Sequence, residues 1–189
     1  NELSYKEHKR VAEFCRKKKI NYIASAFDIE SLFFYSKLNK DFIKIPSGEI
    51  NNLIYLKQIK DLGFKNIIFS TGMASLKEIK KTYEFLKTGK RNVIVMHCTS
   101  EYPAKTENLN LNFLKTLSKM FNDKIGYSDH SLSILTPSLA TALGAKYIEK
   151  HFTLNNAMTG PDHKASLNIP SFKKMVDEVK EAEKILGKN

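Results

Sequence analysis

The chain contains no tryptophan and only two cysteines among its 189 residues. Cys15 and Cys98 cannot form the multi-bridge framework of a small secreted domain, so we expect a reduced, cytoplasmic protein. The sequence also lacks an uninterrupted apolar run of about 18 residues, so we expect no membrane-spanning helix. No linker or low-complexity segment interrupts it, which favours one compact domain.

Charge of one sign is in excess, because the formal net charge is +11. A basic balance can indicate nucleic-acid binding, but that requires lysines and arginines clustered on one surface. Here they are scattered along helices beside acidic residues, and the single run, RKKK at 16–19, is typical of a solvated helix end. We therefore expect no nucleic-acid partner, whereas a small anionic substrate would fit the same charge.

Short apolar segments alternate with amphipathic ones along the whole chain. Nearly continuous apolar strands are typical of a parallel sheet covered by helices. Capping boxes at Ser4–Glu7 and Ser75–Glu78 indicate that helices begin at these two positions, in the amphipathic segments. The predicted strands are Asn21–Ala26, Phe42–Ile45, Asn66–Ser70, Asn92–Cys98, Lys124–Tyr127 and Lys146–Phe152.

Polar residues follow almost every predicted strand. In a β/α barrel the functional groups gather at the carboxyl ends of many strands, whereas an open doubly wound sheet concentrates them at one switch point. The pattern therefore predicts an α/β protein with the (β/α)8 TIM-barrel fold. Six β/α units can be distinguished, and they would correspond to strands 3–8. Because the chain begins at Asn1 rather than Met, we expect the first two units to precede it.

The motifs GYSDH (126–130) and EKH (149–151) end two neighbouring strands and give the clearest site. Two neutral imidazoles with open positions beside them can form a catalytic metal centre, so His130 and His151 are candidate ligands. Glu149 lies two residues before His151 and therefore points to the same face. Mixed nitrogen and oxygen ligands suit Mn²⁺, Mg²⁺, Zn²⁺ or Fe²⁺. The alternative is two structural histidines hydrogen-bonded to Asp129 and Glu149.

Two earlier strands end in groups that could bind an anion. In IKIPSGE (43–49), alternation points Lys44 away from both isoleucines, and a lysine directed inward needs an anion or an acidic partner. The Ser47–Gly48 turn can add hydroxyl and amide donors. A buried Lys44–Glu49 ion pair is the alternative. STGM (70–73) precedes a helix N-terminus, where anions bind readily, although a simple capped turn explains it as well.

Two further motifs contribute residues to the predicted site. In HCTSEYP (97–103) we expect His97 to be a satisfied core histidine and Tyr102 to face the substrate. GPDHKAS (160–166) is a long polar loop of the kind that closes over a barrel mouth. Its Asp162 could bind a sugar hydroxyl or transfer a proton, and an Asx-type turn after Pro161 is the alternative.

Taken in chain order, as IKIPSGE, STGM, HCTSEYP, GYSDH and EKHFT…GPDHKAS, these motifs resemble those of the sialic acid synthase family, which includes N-acetylneuraminate, legionaminate and pseudaminate synthases. The resemblance runs over essentially the whole chain. It implies a β/α barrel that condenses phosphoenolpyruvate with the open-chain aldehyde of an N-acetylated amino sugar and releases phosphate. It also implies a divalent metal, Mn²⁺ or alternatively Mg²⁺, and a homodimer of the full-length protein.

The resemblance assigns roles to individual residues. Lys44, Ser47, Ser70 and Ser128 match the phosphoenolpyruvate contacts, and His130 and His151 match the metal ligands. Contacts to the sugar or the reacting water are matched by Glu49, Tyr102, Glu149 and Asp162, among which we expect Glu49, Glu149 and Asp162 to be catalytic. Ser25 stands where many members have threonine, and Ser100 replaces an asparagine seen in some. We expect both serines to contact substrate.

Truncation is the main departure from the family. Members carry two earlier strands that bear a glutamate and a lysine, and a C-terminal antifreeze-like domain that supplies an arginine across a dimer. We therefore expect residues 1–189 to form part of a barrel domain without those parts. Two other functions stay open, namely a metal-dependent aldolase or isomerase on the same barrel, and a non-catalytic module that only binds ligand or assembles.

Overall fold

A computed structural model describes residues 3–122 and 124–187. The described chain divides into two compact units: one comprises residues up to Phe69 together with Ser75–Val93, and the other comprises Ser70–Ala74 together with the residues from Ile94 onward. Among the described residues, no helix combines the length and apolarity needed to cross a bilayer.

The first unit contains two strands and four helices. β1 pairs in parallel with β2, with Phe42 opposite Asn66 and Ile45 opposite Phe69. Both predicted capping boxes are present, at the starts of α1 and α4. Gly63, with φ 76°, ends α3 in the left-handed conformation that favours glycine. The elements are α1 (Tyr5–Lys17), α2 (Ile29–Leu38), β1 (Phe42–Ile45), α3 (Leu53–Leu62), β2 (Asn66–Ser70) and α4 (Leu76–Leu86).

The second unit carries the three remaining strands. β3 pairs with β4, and β4 pairs with β5, in both cases in parallel. The apolar strand residues are buried beneath the helices, as the continuous apolar runs predict. The elements are β3 (Asn92–Cys98), α5 (Phe113–Phe121), β4 (Ile125–Asp129), α6 (Thr136–Ala142), β5 (Tyr147–Lys150) and α7 (Ile169–Leu186).

Within each unit the strand neighbours follow the chain order, with β1 beside β2 in the first unit and β4 between β3 and β5 in the second. The predicted α/β class with a parallel sheet is therefore confirmed. β1, β2 and β3 have the predicted bounds, while β4 and β5 are assigned slightly different ones. Parallel neighbours place the carboxyl ends of β3, β4 and β5 at one edge, and the polar motifs of the second unit follow those ends.

The predicted strand at Asn21–Ala26 is wrong, because residues 21–26 have no strand assignment. Side chains occupy carbonyls that a strand would use for its ladder. The Asn39 amide donates to the Tyr22 carbonyl at 2.6 Å, and the Tyr55 hydroxyl donates to the Ala26 carbonyl at 2.5 Å. A backbone hydrogen bond to β1 does form, but it is long, with 3.4 Å from Lys44 N to Ala24 O.

Candidate active site

The carboxyl ends of β4 and β5 bring two histidine rings together. The register sets Ser128 opposite Glu149, and His130 and His151 each follow two residues later on the same face. Their ring centroids lie 5.3 Å apart with an interplanar angle of 69°. The convergence that the sequence predicts for these two side chains is therefore present.

The His130 ring is oriented by a main-chain carbonyl. Its Nδ1 lies 2.8 Å from the Thr99 carbonyl oxygen. Because a carbonyl only accepts, Nδ1 carries the proton, and in the neutral ring the lone pair is then on Nε2. Metal-binding histidines commonly have one ring nitrogen fixed in this way while the other faces the metal. The alternative partner, Asp129, lies on the opposite face and is bound to Lys150 instead.

His151 is half-buried beside a carboxylate. Its Nδ1 lies 4.0 Å from Oδ2 of Asp162. Burial lowers the pKa of His151 below its ordinary value, and the nearby His130 lowers it further, while Asp162 and Glu149 oppose that change. The lowered pKa favours the neutral imidazole, which is the form that binds a metal.

Glu149 is held by the strand beside it. The Ser128 hydroxyl donates to Oε1 of Glu149 at 2.6 Å. Ser128 is buried, whereas the Glu149 residue is only partly buried. The hydrogen bond fixes the carboxylate on the same face as both imidazoles, which suits a group that accepts or delivers a proton. Ser128, which the resemblance assigns to phosphoenolpyruvate, therefore has a second partner that sequence alone does not indicate.

Tyr102 forms an aromatic wall over the histidines. Its ring centroid lies 4.1 Å from that of His130 and 5.6 Å from that of His151. The residue is nevertheless 53% exposed, so part of it remains accessible to a ligand. The neighbouring Ser100 is exposed as well.

The loop that carries Asp162 is tied at several points. A bridge joins Phe152 to Leu167. The Asn156 amide donates to the carbonyls of His163 and Ser166, at 2.9 and 2.8 Å. Asp162 precedes a 3-10 turn without capping it through its side chain. The side-chain cap expected of an Asx-type turn is therefore not observed, and the Asp162 carboxylate faces His151 instead.

The first unit holds four of the predicted site residues. Lys44 is 9% exposed, between two isoleucines that are fully buried. Ser47 and Glu49 lie in a 3-10 turn directly after β1. Glu49 accepts a hydrogen bond from the Asn52 amide at 2.7 Å, and Ser25 is half-buried.

Ser70 belongs to the second unit and is buried at the end of β2. Next to it, the Thr71 hydroxyl donates to the Met96 carbonyl at 3.0 Å, so this side chain is directed to the sheet. The N-terminus of α4 is capped by its own Ser75 and Glu78. The predicted turn with a local cap is therefore present, and the cap uses donors that an anion would need.

His97 is a core histidine, as predicted. It is buried, and its Nε2 lies 2.7 Å from the Leu109 carbonyl. The ring packs on Phe113 and Tyr127 at centroid distances of 5.3 and 5.8 Å. Burial lowers the pKa of His97 below its ordinary value of 6.5.

The donor set fits a divalent cation only in part. Within residues 3–122 and 124–187, no group of three or more histidine, cysteine, aspartate or glutamate side chains could hold a metal ion. The chain itself would therefore supply two imidazoles, and water or substrate oxygens would fill the remaining positions. Such an open nitrogen and oxygen set is compatible with catalytic Mn²⁺ or Mg²⁺.

Known proteins resemble the chain over almost its whole length. The NeuB family profile matches residues 1–189. The N,N'-diacetyllegionaminic acid synthase of Campylobacter jejuni is 43% identical over 98% of this chain and 56% of its own length. The corresponding synthase of Legionella pneumophila is 38% identical, over 98% of this chain and 53% of its own length. The chain thus spans about half the length of the curated relatives it matches.

Solved structures agree with these relatives. The N-acetylneuraminic acid synthetase of Leptospira borgpetersenii superposes with a TM-score of 0.94 at 36% identity, over 100% of this chain and 66% of its own. A truncated 3-deoxy-D-arabino-heptulosonate 7-phosphate synthase of Thermotoga maritima gives a TM-score of 0.82 at 20% identity, over 99% and 74% of the two chains. That second likeness shows a shared fold alone.

Proposed function

Because the chain belongs to the NeuB family, we propose that its site serves the condensation of phosphoenolpyruvate with the aldehyde of an N-acetylated amino sugar. The product would be a sialic-acid-type nonulosonate, and phosphate would be released. The observation that supports this most directly is the His130–His151 pair beside Glu149, at the end of β4 and β5. The names of relatives as legionaminic acid synthases support the same reaction class.

The proposal includes a divalent cation, Mn²⁺ or alternatively Mg²⁺. Nε2 of His130 and the neutral imidazole of His151 would hold it. A cation bound there would polarise the sugar aldehyde as a Lewis acid, which can contribute several kcal/mol. Asp162 and Tyr102, which lie against these rings, would orient the sugar.

Glu149 is the proposed proton acceptor. Its carboxylate is fixed by Ser128 on the face that carries both histidines. A positioned carboxylate can take a proton from the water that adds at C2 of the phosphoenolpyruvate-derived carbon chain. Collapse of that adduct breaks the C–O bond and releases phosphate with the bridging oxygen.

Phosphoenolpyruvate would be held by charge and by hydroxyl groups. The candidate contacts are Lys44, Ser47, Ser70 and Ser128, and Ser25, Glu49 and Ser100 are proposed substrate contacts. Lys44 supports this role, because its ammonium is on a largely buried side chain, where solvent screens a charge less than it does at the surface. Fixed donors of this kind act through positioning and electrostatics.

We extend the proposal to the rest of the protein. The five described strands and their helices would belong to a (β/α)8 barrel, with the first two β/α units and an antifreeze-like domain outside residues 1–189. A cytoplasmic homodimer is part of the same proposal. Its cytoplasmic location is supported by Cys15 and Cys98, which are not joined in a disulfide and so suit a reducing compartment.

Isotope tracing tests the reaction. The chain is incubated with Mn²⁺, a panel of N-acetylated amino sugars and phosphoenolpyruvate labelled with ¹⁸O at the bridging position. We expect the label in the released phosphate. Label retained in the carbon product would refute C–O cleavage and favour an aldolase or isomerase instead.

A histidine variant tests the metal assignment. His151→Ala should abolish Mn²⁺ binding measured by titration calorimetry, because one of the two protein donors is lost. His8→Ala is the matched control, since His8 is a partly buried histidine on α1 that contacts Tyr22. Wild-type Mn²⁺ affinity in His151→Ala would contradict the assignment.

A further inference from the structure

A buried ion pair lies on the opposite face of the two strands that carry the histidines. Lys150 Nζ is 2.7 Å from Oδ2 of Asp129, and the two side chains are 1% and 0% exposed. The register sets these residues directly opposite each other. Each one immediately precedes a site histidine in the sequence.

The pair also holds the chain that leaves β4. Lys150 Nζ donates to the carbonyls of Ser131 and Ser133, at 2.5 and 3.1 Å. Oδ1 of Asp129 accepts from the Ser131 amide at 2.8 Å, and Oδ2 accepts from the Thr136 hydroxyl at 2.5 Å. The segment directly after His130 is therefore fixed by both members of the pair.

We propose that Asp129 and Lys150 are positioning residues that fix the exits of β4 and β5 so that the His130 and His151 rings converge. The proposal concerns geometry and rests on the proposed function only where it predicts metal affinity. Desolvation makes a buried ion pair a weak source of stability, since apolar replacements are often neutral. The pair therefore acts by fixing where the ends of β4 and β5 lie, rather than by adding to the free energy of unfolding.

The decisive variant removes both charges and keeps the shapes, as Asp129→Asn with Lys150→Met. Its matched control is Asp41→Asn with Lys65→Met, because Lys65 and Asp41 also pair, at 2.6 Å, but are exposed by 74% and 58%. Both double variants are made in the 189-residue chain. Thermal unfolding establishes the temperature at which each is folded, and the measurements below are made there.

Two readouts report the position of the histidines. The first is the Mn²⁺ dissociation constant, which should rise about tenfold or more, the effect typical of losing support around a metal ligand. The second is the proton NMR signal of His130 Nδ1–H, which the Thr99 carbonyl protects from exchange. That signal should broaden or disappear in the buried double variant and persist in the exposed control.

Each outcome decides the proposal. A folded buried double variant with wild-type Mn²⁺ affinity and an unchanged His130 signal would overturn it, even if its melting temperature fell. If the wild-type chain binds no Mn²⁺, the proposed metal function fails, and the His130 signal alone decides the positioning role. Should the double variant not fold, Thr136→Val removes a single donor to Asp129. We then expect a smaller rise in the Mn²⁺ dissociation constant and a smaller loss of the His130 signal. If both stay at their wild-type values, the proposal is overturned.

Discussion

Gly126 of β4 has no room for a side chain against β5, and its replacement by alanine tests the packing beneath the site. Gly126 is opposite Tyr147 in the register. A Cβ at this position would lie 2.7 Å from the Tyr147 carbonyl oxygen, 2.9 Å from Tyr147 Cβ and 3.0 Å from Met96 Cε. The methionine end can move aside, but the Tyr147 main chain can move only if β5 shifts.

The destabilisation expected of Gly126→Ala follows from the lack of room for a methyl group at this position. Adding a methyl group to a packed interior costs about 1–3 kcal/mol. In a protein of this size, 1 kcal/mol changes the melting temperature by about 2–4 °C. Gly126→Ala should therefore lower the melting temperature by roughly 2–12 °C. Because Ser128 and Glu149 lie two residues further along the same strands, a displaced β5 should also lengthen their hydrogen bond and weaken Mn²⁺ binding.

Calorimetric melting measures the effect, and Gly48→Ala is the matched control. A Cβ on Gly48 would have no neighbour within 4 Å, and its φ is not in the left-handed region. Alanine there should be neutral or should stabilise by up to about 1 kcal/mol, through reduced freedom of the unfolded chain. A Gly126→Ala protein that melts at or above the wild-type temperature would refute the packing argument.

Three further substitutions give distinct outcomes. Burial lowers the pKa of His97 below 6.5, so the unfolded chain binds more protons and the free energy of unfolding should fall as pH drops below about 6.5. His97→Gln should make that slope shallower between about pH 7 and 5, and an equal slope in urea titrations would exclude His97 as its source. Asn156→Ala leaves the carbonyls of His163 and Ser166 without their amide donor, at a cost of about 1–3 kcal/mol. Amides of residues 152–168 should then exchange faster by mass spectrometry, and unchanged protection would contradict this. Ser128→Ala removes the hydroxyl that donates to the Glu149 carboxylate, so phosphate release should slow about tenfold, or ~1.4 kcal/mol, while Mn²⁺ affinity stays at the wild-type value. A parallel loss of Mn²⁺ affinity would show that Ser128 supports the histidines rather than Glu149.

Local apolar runs were sufficient to predict most of the sheet. Phe42–Ile45, Asn66–Ser70 and Asn92–Cys98 are strands with the predicted bounds, because buried parallel strands need continuous apolar residues. Residues 21–26 show the same pattern but are not a strand. Their carbonyls accept hydrogen bonds from Asn39 and Tyr55, which lie later in the chain, and no local pattern reveals such partners.

The site was predictable where strand register decided it. His130 and His151 converge because equal spacing along neighbouring parallel strands sets them side by side. The contacts of the residues next to the histidines were harder to predict from the sequence. The pairing of Asp129 with Lys150 was missed, although the aligned motifs SDH and EKH carry the signal. The functional roles of all the predicted site residues stay predictions, namely those of Ser25, Lys44, Ser47, Glu49, Ser70, Ser100, Tyr102, Ser128, His130, Glu149, His151 and Asp162.

The bond from His130 Nδ1 to Thr99 uses an oxygen of the peptide link rather than of a side chain. Any amino acid at position 99 supplies that oxygen, so scanning mutagenesis there would leave the imidazole tautomer untouched and would suggest that the position is dispensable. Chemical synthesis can change this main-chain carbonyl, whereas a genetic substitution changes only the side chain. Replacing the amide between Thr99 and Ser100 by an ester gives a poorer acceptor, so it would weaken the hydrogen bond that orients the ring while every side chain is retained.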